Sequence, residues 1–157
     1  MHQMSYDDGL TSYCFEDLKV GMRDEYRRRI SQADVEHFAE VSGDVNPLHL
    51  DAAFAGRTMF KGPIVHGMYT AAMISTVIGT RLPGPGCIYM SQNIRFLAPV
   101  RVGEEVVASA TVVELFHGKH RARLETLCQV GEIEVVRGAA LILVPTRAQL
   151  HALTGTG

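Results

Sequence analysis

The chain has 157 residues, of which 46% are hydrophobic and 20% charged, and its formal net charge is −2. A chain of this length favours one domain with a sizeable core, and so small a net charge argues against binding to nucleic acid. Its three cysteines include no Cys-x-x-Cys pair, which indicates free thiols in a reducing compartment. No secretory signal and no apolar run of membrane-spanning length is present. We therefore expect a soluble, cytoplasmic protein without a membrane partner.

The first half of the chain is predicted to be mainly helical. Residues 1–14 show no periodicity and are expected to be a flexible leader, followed by a turn and a strand. Ser31, with Asp34 three residues later, is typical of a capping box, and the helix that it begins should end at Gly43. Glycine and proline then recur through residues 56–65, which predicts an irregular segment.

The second half is predicted to be one buried helix followed by strands. Residues 67–80 carry no charged side chain, and a helix that is apolar nearly all round is a buried one. Runs rich in valine, isoleucine, threonine and tyrosine predict strands over residues 88–97, 105–116, 121–129 and 134–144. Short loops between them favour antiparallel hairpins, hence an α+β fold in which a sheet wraps the helix. The open sheet edges predict a homodimer, and the tail over residues 147–157 is expected to fray.

Two residues with acid–base chemistry, Asp44 and His49, lie on an irregular segment that is constrained by Asn46 and Pro47. Each has an ordinary alternative, because Asp44 is a common turn residue and a single histidine is more often structural. Their combination on one fixed segment favours proton transfer as their role. Asn46 is expected to close an Asx-type turn ahead of Pro47, and it is also a candidate for substrate contact.

The start of the predicted central helix offers a second kind of chemistry. The N–H group of Gly67 has no partner within the helix and lies at the positive end of the helix dipole, so it could polarise a carbonyl oxygen. His66 beside it is expected to pack and to order the turn. Ser75 either bonds back to the carbonyl of Ala71 or makes a polar contact in a substrate pocket.

Neither a metal centre nor a nucleophilic mechanism is favoured. Asp44, His49 and Asp51 could suggest a metal site, but no third nitrogen or sulfur ligand stands at a usual spacing, and Asp51 is better placed to cap a short helix. No Gly-x-Ser-x-Gly elbow is present, and no cysteine lies near this segment.

Residues 42–55 (SGDVNPLHLDAAFA) together with residues 63–68 (PIVHGM) closely resemble the MaoC-like family, and within it the (R)-specific enoyl-CoA hydratases. The resemblance continues through residues 86–100 and 102–106 and covers roughly residues 15–146. It implies a single hot-dog domain, in which an antiparallel sheet wraps a long central helix. It also implies a homodimer that acts on an acyl-CoA or acyl-ACP thioester.

Within that resemblance, Asp44 and His49 match the catalytic pair of the hydratases, and Gly67 matches the amide donor to the thioester oxygen. The implied reaction is the reversible hydration of trans-2-enoyl-CoA to (R)-3-hydroxyacyl-CoA, without a metal or redox cofactor. A 3-hydroxyacyl-ACP dehydratase is the nearest alternative. A hot-dog thioesterase and a non-enzymatic acyl-CoA-binding regulator are more distant ones.

The resemblance also suggests where the acyl chain lies. Ser75 matches an active-site serine of the family, and Ile78, three residues later, shares its helix face. The acyl tunnel is expected along that face, with Leu141 of the last strand closing its end. The alternative is that Ile78 and Leu141 are only core residues.

Overall fold

A computed structural model describes residues 9–154 of the chain. Five strands form one antiparallel sheet, and they are β1 (Arg23–Arg29), β2 (Ile88–Phe96), β3 (Glu105–Phe116), β4 (Arg121–Val130) and β5 (Ile133–Leu143). Their order in the sheet is β1-β3-β4-β5-β2, so β1 and β2 are the two edge strands. The helices are α1 (Gln32–Ser42), α2 (Pro47–Leu50), α3 (Ala52–Gly56), α4 (Gly67–Thr80) and α5 (Arg147–Thr154). None of these helices is long and apolar enough to cross a membrane.

The sheet wraps around helix α4, which contacts all five strands. Met73, Ile74, Val77 and Ile78 of this helix are buried in the same core cluster as Val106, Val112, Leu124 and Ile142 of the sheet. Burial of each such side chain contributes about 1.5–3 kcal/mol, so this helix–sheet contact makes a large contribution to stability. The predicted α+β hot-dog arrangement is confirmed.

The sequence predicted that helix α4 is buried nearly all round. In the single chain, however, one side of this helix is exposed. Met68, Ala72, Ser75 and Gly79 are exposed, and their spacing places them in one stripe along the helix. The prediction was wrong here because a curved sheet covers one side of a helix. The composition of the stripe, which contains no charged residue, does not reveal which side is open.

Caps at both ends of helix α1 fix the direction in which the chain enters residues 44–49, the acid–base segment that carries Asp44 and His49. The Ser31 Oγ accepts from the N–H of Asp34 at 3.1 Å, and the Asp34 carboxylate accepts from the N–H of Ser31 at 2.9 Å. Gly43 ends the helix in the left-handed conformation, with φ of 78°. The predicted capping box and glycine stop are both confirmed.

Part of the expected leader packs on the domain. The N–H of Thr11 donates to the carbonyl of Thr80 at 2.8 Å, and Cys14 is only 1% exposed. The leader is therefore ordered from about residue 11, whereas its first part, residues 1–8, lies outside the described residues.

The expected tail is also not simply frayed, because its first part forms helix α5. The Glu16 carboxylate accepts from the N–H of Arg147 at 2.9 Å, and Asp17 pairs with the Arg147 guanidinium at 2.7 Å. These contacts come from residues far away in the sequence, so local pattern could not predict the helix. Residues 155–157 lie outside the described part of the chain.

Candidate active site

The acid–base segment is held in place by side chains that cap the two short helices α2 and α3. The Asn46 side-chain oxygen accepts from the N–H of Leu48 at 3.0 Å, and Pro47 occupies the first position of helix α2. The Asx-type turn is thus confirmed, although the sequence did not predict the helical turn that follows it. Asn46 remains exposed and uses its side-chain oxygen for this cap, which assigns it a structural role.

Asp51 performs the capping role expected from the sequence. One of its carboxylate oxygens accepts from the N–H groups of Ala53 and Phe54, at 2.9 and 3.0 Å, at the start of helix α3. With α2 and α3 fixed in this way, His49 is directed towards the interior and is 8% exposed.

The tautomer of His49 is set by a backbone carbonyl. Its Nδ1 lies 2.7 Å from the carbonyl oxygen of Ile64. A carbonyl can only accept, so Nδ1 carries a proton, and in the neutral ring Nε2 is the nitrogen that has the lone pair. This is the form of histidine that can act as a general base.

His66 joins the two predicted catalytic residues. Its Nε2 donates to the backbone carbonyl of Asp44 at 2.9 Å, and its ring lies on the His49 ring with 3.9 Å between centroids and 32° between planes. The ring is 1% exposed, and its Nδ1 has no hydrogen-bond partner among the described residues. The sequence predicted an ordering role for His66, which the bond to Asp44 confirms, but not its contact with His49.

Asp44, His49 and His66 each place one possible ligand atom within 4.8 Å of the others. The sequence analysis found no third nitrogen or sulfur ligand at a usual spacing, whereas the fold brings His66 next to Asp44 and His49. However, one nitrogen of each imidazole already faces a backbone carbonyl, His49 Nδ1 that of Ile64 and His66 Nε2 that of Asp44. The two rings are also stacked, with 3.9 Å between centroids, whereas zinc sites need separate ligands that converge tetrahedrally. The arrangement therefore suits proton transfer better than metal binding.

The N-terminus of helix α4 opens beside these residues. Neither the N–H of Gly67 nor that of Met68 has an acceptor within the described part of the chain, and His66 makes no side-chain cap. A Cβ atom on Gly67 would lie only 2.7 Å from the ring of Phe96. Gly67 is thus the residue that allows a close approach here, and its N–H is free for a ligand oxygen.

A cavity of about 500 Å³ lies at this point. Its few polar groups come from Asp44, His66, Gly67 and Thr70, and the hydroxyl of Thr70 is buried without a partner among the described residues. The rest of its lining is apolar and includes Met59, Phe60, Ile64, Met68, Phe96 and Leu97. An apolar wall strengthens the electrostatic effect of the few polar groups on a bound molecule.

The three residues expected along an acyl tunnel do not meet there. Ser75 is exposed, whereas Ile78 is 1% exposed within the core. Leu141 lies on the outer face of the sheet, because its neighbours Ala140 and Ile142 are the ones directed into the core. None of Ser75, Ile78 and Leu141 is among the described residues that line the cavity. This geometry gives no support to the expectation that Leu141 closes a tunnel along helix α4, which stays a prediction.

Comparison with known proteins agrees with this geometry. The family model described as "MaoC like domain" matches residues 16–135. The chain belongs to the MaoC-like family. This membership confirms the resemblance seen in the sequence and accounts for the hot-dog fold.

Several relatives of this MaoC-like protein are named for one reaction. It is 49% identical over 139 residues to a 3-hydroxybutyryl-CoA dehydratase of Methylorubrum extorquens, with 88% of each chain covered. It is 44% identical to an (R)-specific enoyl-CoA hydratase of Rhodospirillum rubrum, over 92% of this chain and 99% of that one. The mitochondrial 3-hydroxyacyl-[acyl-carrier-protein] dehydratase of Arabidopsis thaliana is 33% identical, over 85% of this chain and 82% of its own.

Solved structures show the same fold. The (R)-hydratase from A. caviae involved in PHA biosynthesis superposes with a TM-score of 0.80 at 43% identity, over 83% of this chain and 99% of that one. The unliganded R-hydratase from Pseudomonas aeruginosa superposes with a TM-score of 0.82 at 42% identity, over 87% of this chain and 88% of that one.

Proposed function

We propose that this protein is a hydro-lyase that reversibly hydrates trans-2-enoyl-CoA to (R)-3-hydroxyacyl-CoA. The observation that carries the proposal is an apolar cavity that is lined by Asp44 and by Gly67 with its free N–H. The His49 imidazole lies directly behind this lining, with a ring nitrogen within 4.8 Å of a carboxylate oxygen of Asp44. Such a set can activate water and stabilise an enolate oxygen, which are the two requirements of this reaction.

In the addition step, a water molecule lies between Asp44 and His49. The lone pair of His49 Nε2 removes a proton as the water oxygen bonds to the β-carbon of the enoyl thioester. The electron pair of the carbon–carbon double bond moves towards the thioester carbonyl. Asp44 accepts a hydrogen bond from the other hydrogen of the water and, with His49, forms the pair that holds the proton until it is returned. Positioned general acid–base groups contribute about 10²–10⁴-fold.

In the second step, the negative charge lies on the thioester oxygen. This oxygen accepts a hydrogen bond from the N–H of Gly67, at the positive end of helix α4, which supplies about 10²–10³-fold. The acid–base pair then returns one proton to the α-carbon. The product has gained one hydroxyl group and one hydrogen, so the atoms of water are fully accounted for.

Coenzyme A is the carrier we propose, because the relatives named for CoA thioesters are more similar than the acyl-carrier-protein dehydratase, at 49% and 44% against 33% identity. The decisive measurement is the loss of enone absorbance with crotonyl-CoA and octenoyl-CoA, with chiral analysis of the product. Crotonyl-ACP in parallel tests the alternative carrier. Release of a free thiol instead of loss of the enone would identify a thioesterase and overturn the proposal.

Variants test the catalytic pair. Asp44→Asn and His49→Ala should each lower hydration by about 10²–10⁴-fold with little change in stability, because both residues act in proton transfer. Asp51→Asn is a matched control, since it makes the same chemical change on the same segment and asparagine can keep the cap of helix α3. Turnover near that of the wild type in either Asp44→Asn or His49→Ala would reject the assignment.

We also propose a homodimer formed along strand β2. This edge strand exposes Ile88, Met90 and Phe96, whereas the opposite edge strand β1 is almost entirely charged. An open apolar edge is normally covered by another strand. Light scattering should report a dimer at micromolar concentration, and Ile88→Lys should weaken it. Val20→Lys is the control and should not weaken the dimer, because Val20 is 63% exposed and does not lie on β2. A monomeric wild type would contradict this proposal.

A cytoplasmic location is part of the same proposal. The three cysteines form no disulfide, and a reducing compartment keeps thiols in that state. Cell fractionation that finds the protein with a secreted or membrane fraction would oppose this assignment.

A further inference from the structure

His66 contacts all the groups to which the reaction is assigned, although it is assigned no step itself. It bonds to the backbone of Asp44, stacks on the ring of His49 and precedes Gly67 in the chain. We propose that His66 is a positioning residue, which holds the acid–base pair in register with the oxyanion donor. This inference rests on the function proposed above.

The first contact fixes Asp44. Within its own segment, Asp44 is held by the Ser42 Oγ, which accepts from its N–H at 3.2 Å, and by the N–H of Asn46, which donates to its carboxylate at 3.3 Å. Both of these bonds are local, so they shape the segment without fixing its position on the domain. The bond from His66 Nε2 to the Asp44 carbonyl, at 2.9 Å, spans 22 residues and attaches the segment to the start of helix α4.

The second contact fixes the ring of His49. The carbonyl of Ile64 holds its Nδ1, which fixes one edge of the ring. The face of His66, with centroids 3.9 Å apart, supports the plane of the ring. His66 is itself packed against Phe38 of helix α1, with 4.8 Å between centroids. The direction of the His49 Nε2 lone pair therefore depends on the position of the His66 ring.

The third connection is covalent. His66 is the residue immediately before helix α4, so its backbone and the Gly67 peptide move together. Its side chain does not cap this helix, which leaves the first N–H groups available to a ligand.

A purely structural role for His66 does not account for its unpartnered atom. Its Nδ1 is buried without a hydrogen-bond partner among the described residues, and such groups are costly and uncommon. Phenylalanine would fill a similar volume and stack on His49 without that cost. What phenylalanine lacks is the N–H that reaches the Asp44 carbonyl.

Two variants separate the two contacts. His66→Phe keeps the ring and loses the donor, so Asp44 is released from helix α4. His66→Gln keeps an N–H near the Nε2 position and loses the ring, so His49 is released. Misplacement of a reacting group by about 1 Å can cost about 10²-fold. We expect each variant to lower kcat for crotonyl-CoA by about 10- to 100-fold, while KM stays within about threefold of the wild type.

A double-mutant cycle identifies how His66 acts. If the ring acts through His49, His66→Gln should cause little further loss of kcat in a His49→Ala background, because nothing then remains for the ring to orient. Val35→Ala is the control for stability, since Val35 is fully buried in helix α1 and contributes no catalytic group. This control should lower the melting temperature and leave kcat unchanged.

The outcomes are distinct. A wild type that does not hydrate crotonyl-CoA refutes the proposed function itself. Full kcat in both His66 variants of an active enzyme overturns the positioning role. The role is also overturned if His66→Gln lowers kcat by the same factor in the wild type and in the His49→Ala background. It is overturned as well if Val35→Ala, which only lowers stability, causes the same loss of kcat. Low kcat with near-normal KM and a non-additive cycle supports it.

Discussion

Replacement of Gly67 by alanine tests whether the start of helix α4 is shaped for a ligand oxygen. The new methyl group would lie 2.7 and 2.9 Å from two carbon atoms of the Phe96 ring. Favourable carbon–carbon contacts lie at about 3.5–4.0 Å, so the ring has to move by about 1 Å. Phe96 lines the cavity, and its movement alters the wall against which the thioester would bind.

The expected loss follows from that displacement. A shift of about 1 Å in a positioning group costs about 10²-fold in rate, so Gly67→Ala should lower kcat/KM for crotonyl-CoA by about that factor. Stability should not fall with it, because alanine in a helix is about 0.5–1 kcal/mol more favourable than glycine. The variant should therefore remain folded while it loses activity.

Gly79→Ala is the matched control for this experiment. Gly79 lies in the same helix, and a Cβ atom there would meet no atom within 4 Å. It should raise the melting temperature slightly and leave kcat/KM unchanged, provided that sizing shows the same assembly. Phe96→Ala alone should lower kcat/KM as well, and the double variant should lose little more than either single variant, because both changes act through the same ring. Full activity in Gly67→Ala, or losses in the double variant that simply add, would refute the steric argument.

Two further predictions concern stability. Arg28 lowers the pKa of the Asp34 carboxyl to about 2. The ionised Asp34 carboxylate therefore stabilises the folded state fully above its unfolded-state pKa of ~4. This stabilisation is lost as the pH falls towards 2. Asp34→Asn should lower the free energy of unfolding by about 1 kcal/mol. The difference in urea midpoint between the wild type and this variant should be constant from about pH 7 to 5 and shrink below about pH 4. A difference that shrinks already at about pH 6 would contradict this. Ile78→Ala should cost about 2–5 kcal/mol by urea unfolding because it leaves a cavity in the core, whereas Leu141→Ala on the outer face should cost about 1 kcal/mol or less and leave the ratio of octenoyl-CoA to crotonyl-CoA activity unchanged.

The sequence predicted those elements whose signals are local. Helix α4 has the predicted bounds, Gly67–Thr80, because an uncharged run between two glycine-containing turns leaves little choice. Strand β3 has its predicted bounds, Glu105–Phe116, for a similar reason. The Ser31 capping box and the Asp51 cap were also predictable, since each depends on residues two or three positions apart.

The features that the sequence missed depend on contacts between distant residues. Helix α5 is held by an ion pair between Arg147 and Asp17, 130 positions apart. The stack of His66 on His49 requires the fold to bring two turns together, and neither histidine carries a local signal for it. The position of Leu141 on the outer face of the sheet depends on the register of its strand, which the local sequence does not reveal.

The exposed stripe of helix α4 and the apolar edge of strand β2 meet at the cavity. Met68 of the stripe is 59% exposed and Phe96 of the edge is 54% exposed, and both line the cavity. In the proposed dimer, a second copy of the chain along β2 would cover these two side chains. In the monomer produced by Ile88→Lys, Asp44, His49 and Gly67 keep their places because each is fixed within one chain. The apolar wall around the acyl group would be open to water, so KM for octenoyl-CoA should rise more than kcat falls. An equal loss of kcat for both substrates would instead mean that dimerisation shapes the acid–base pair.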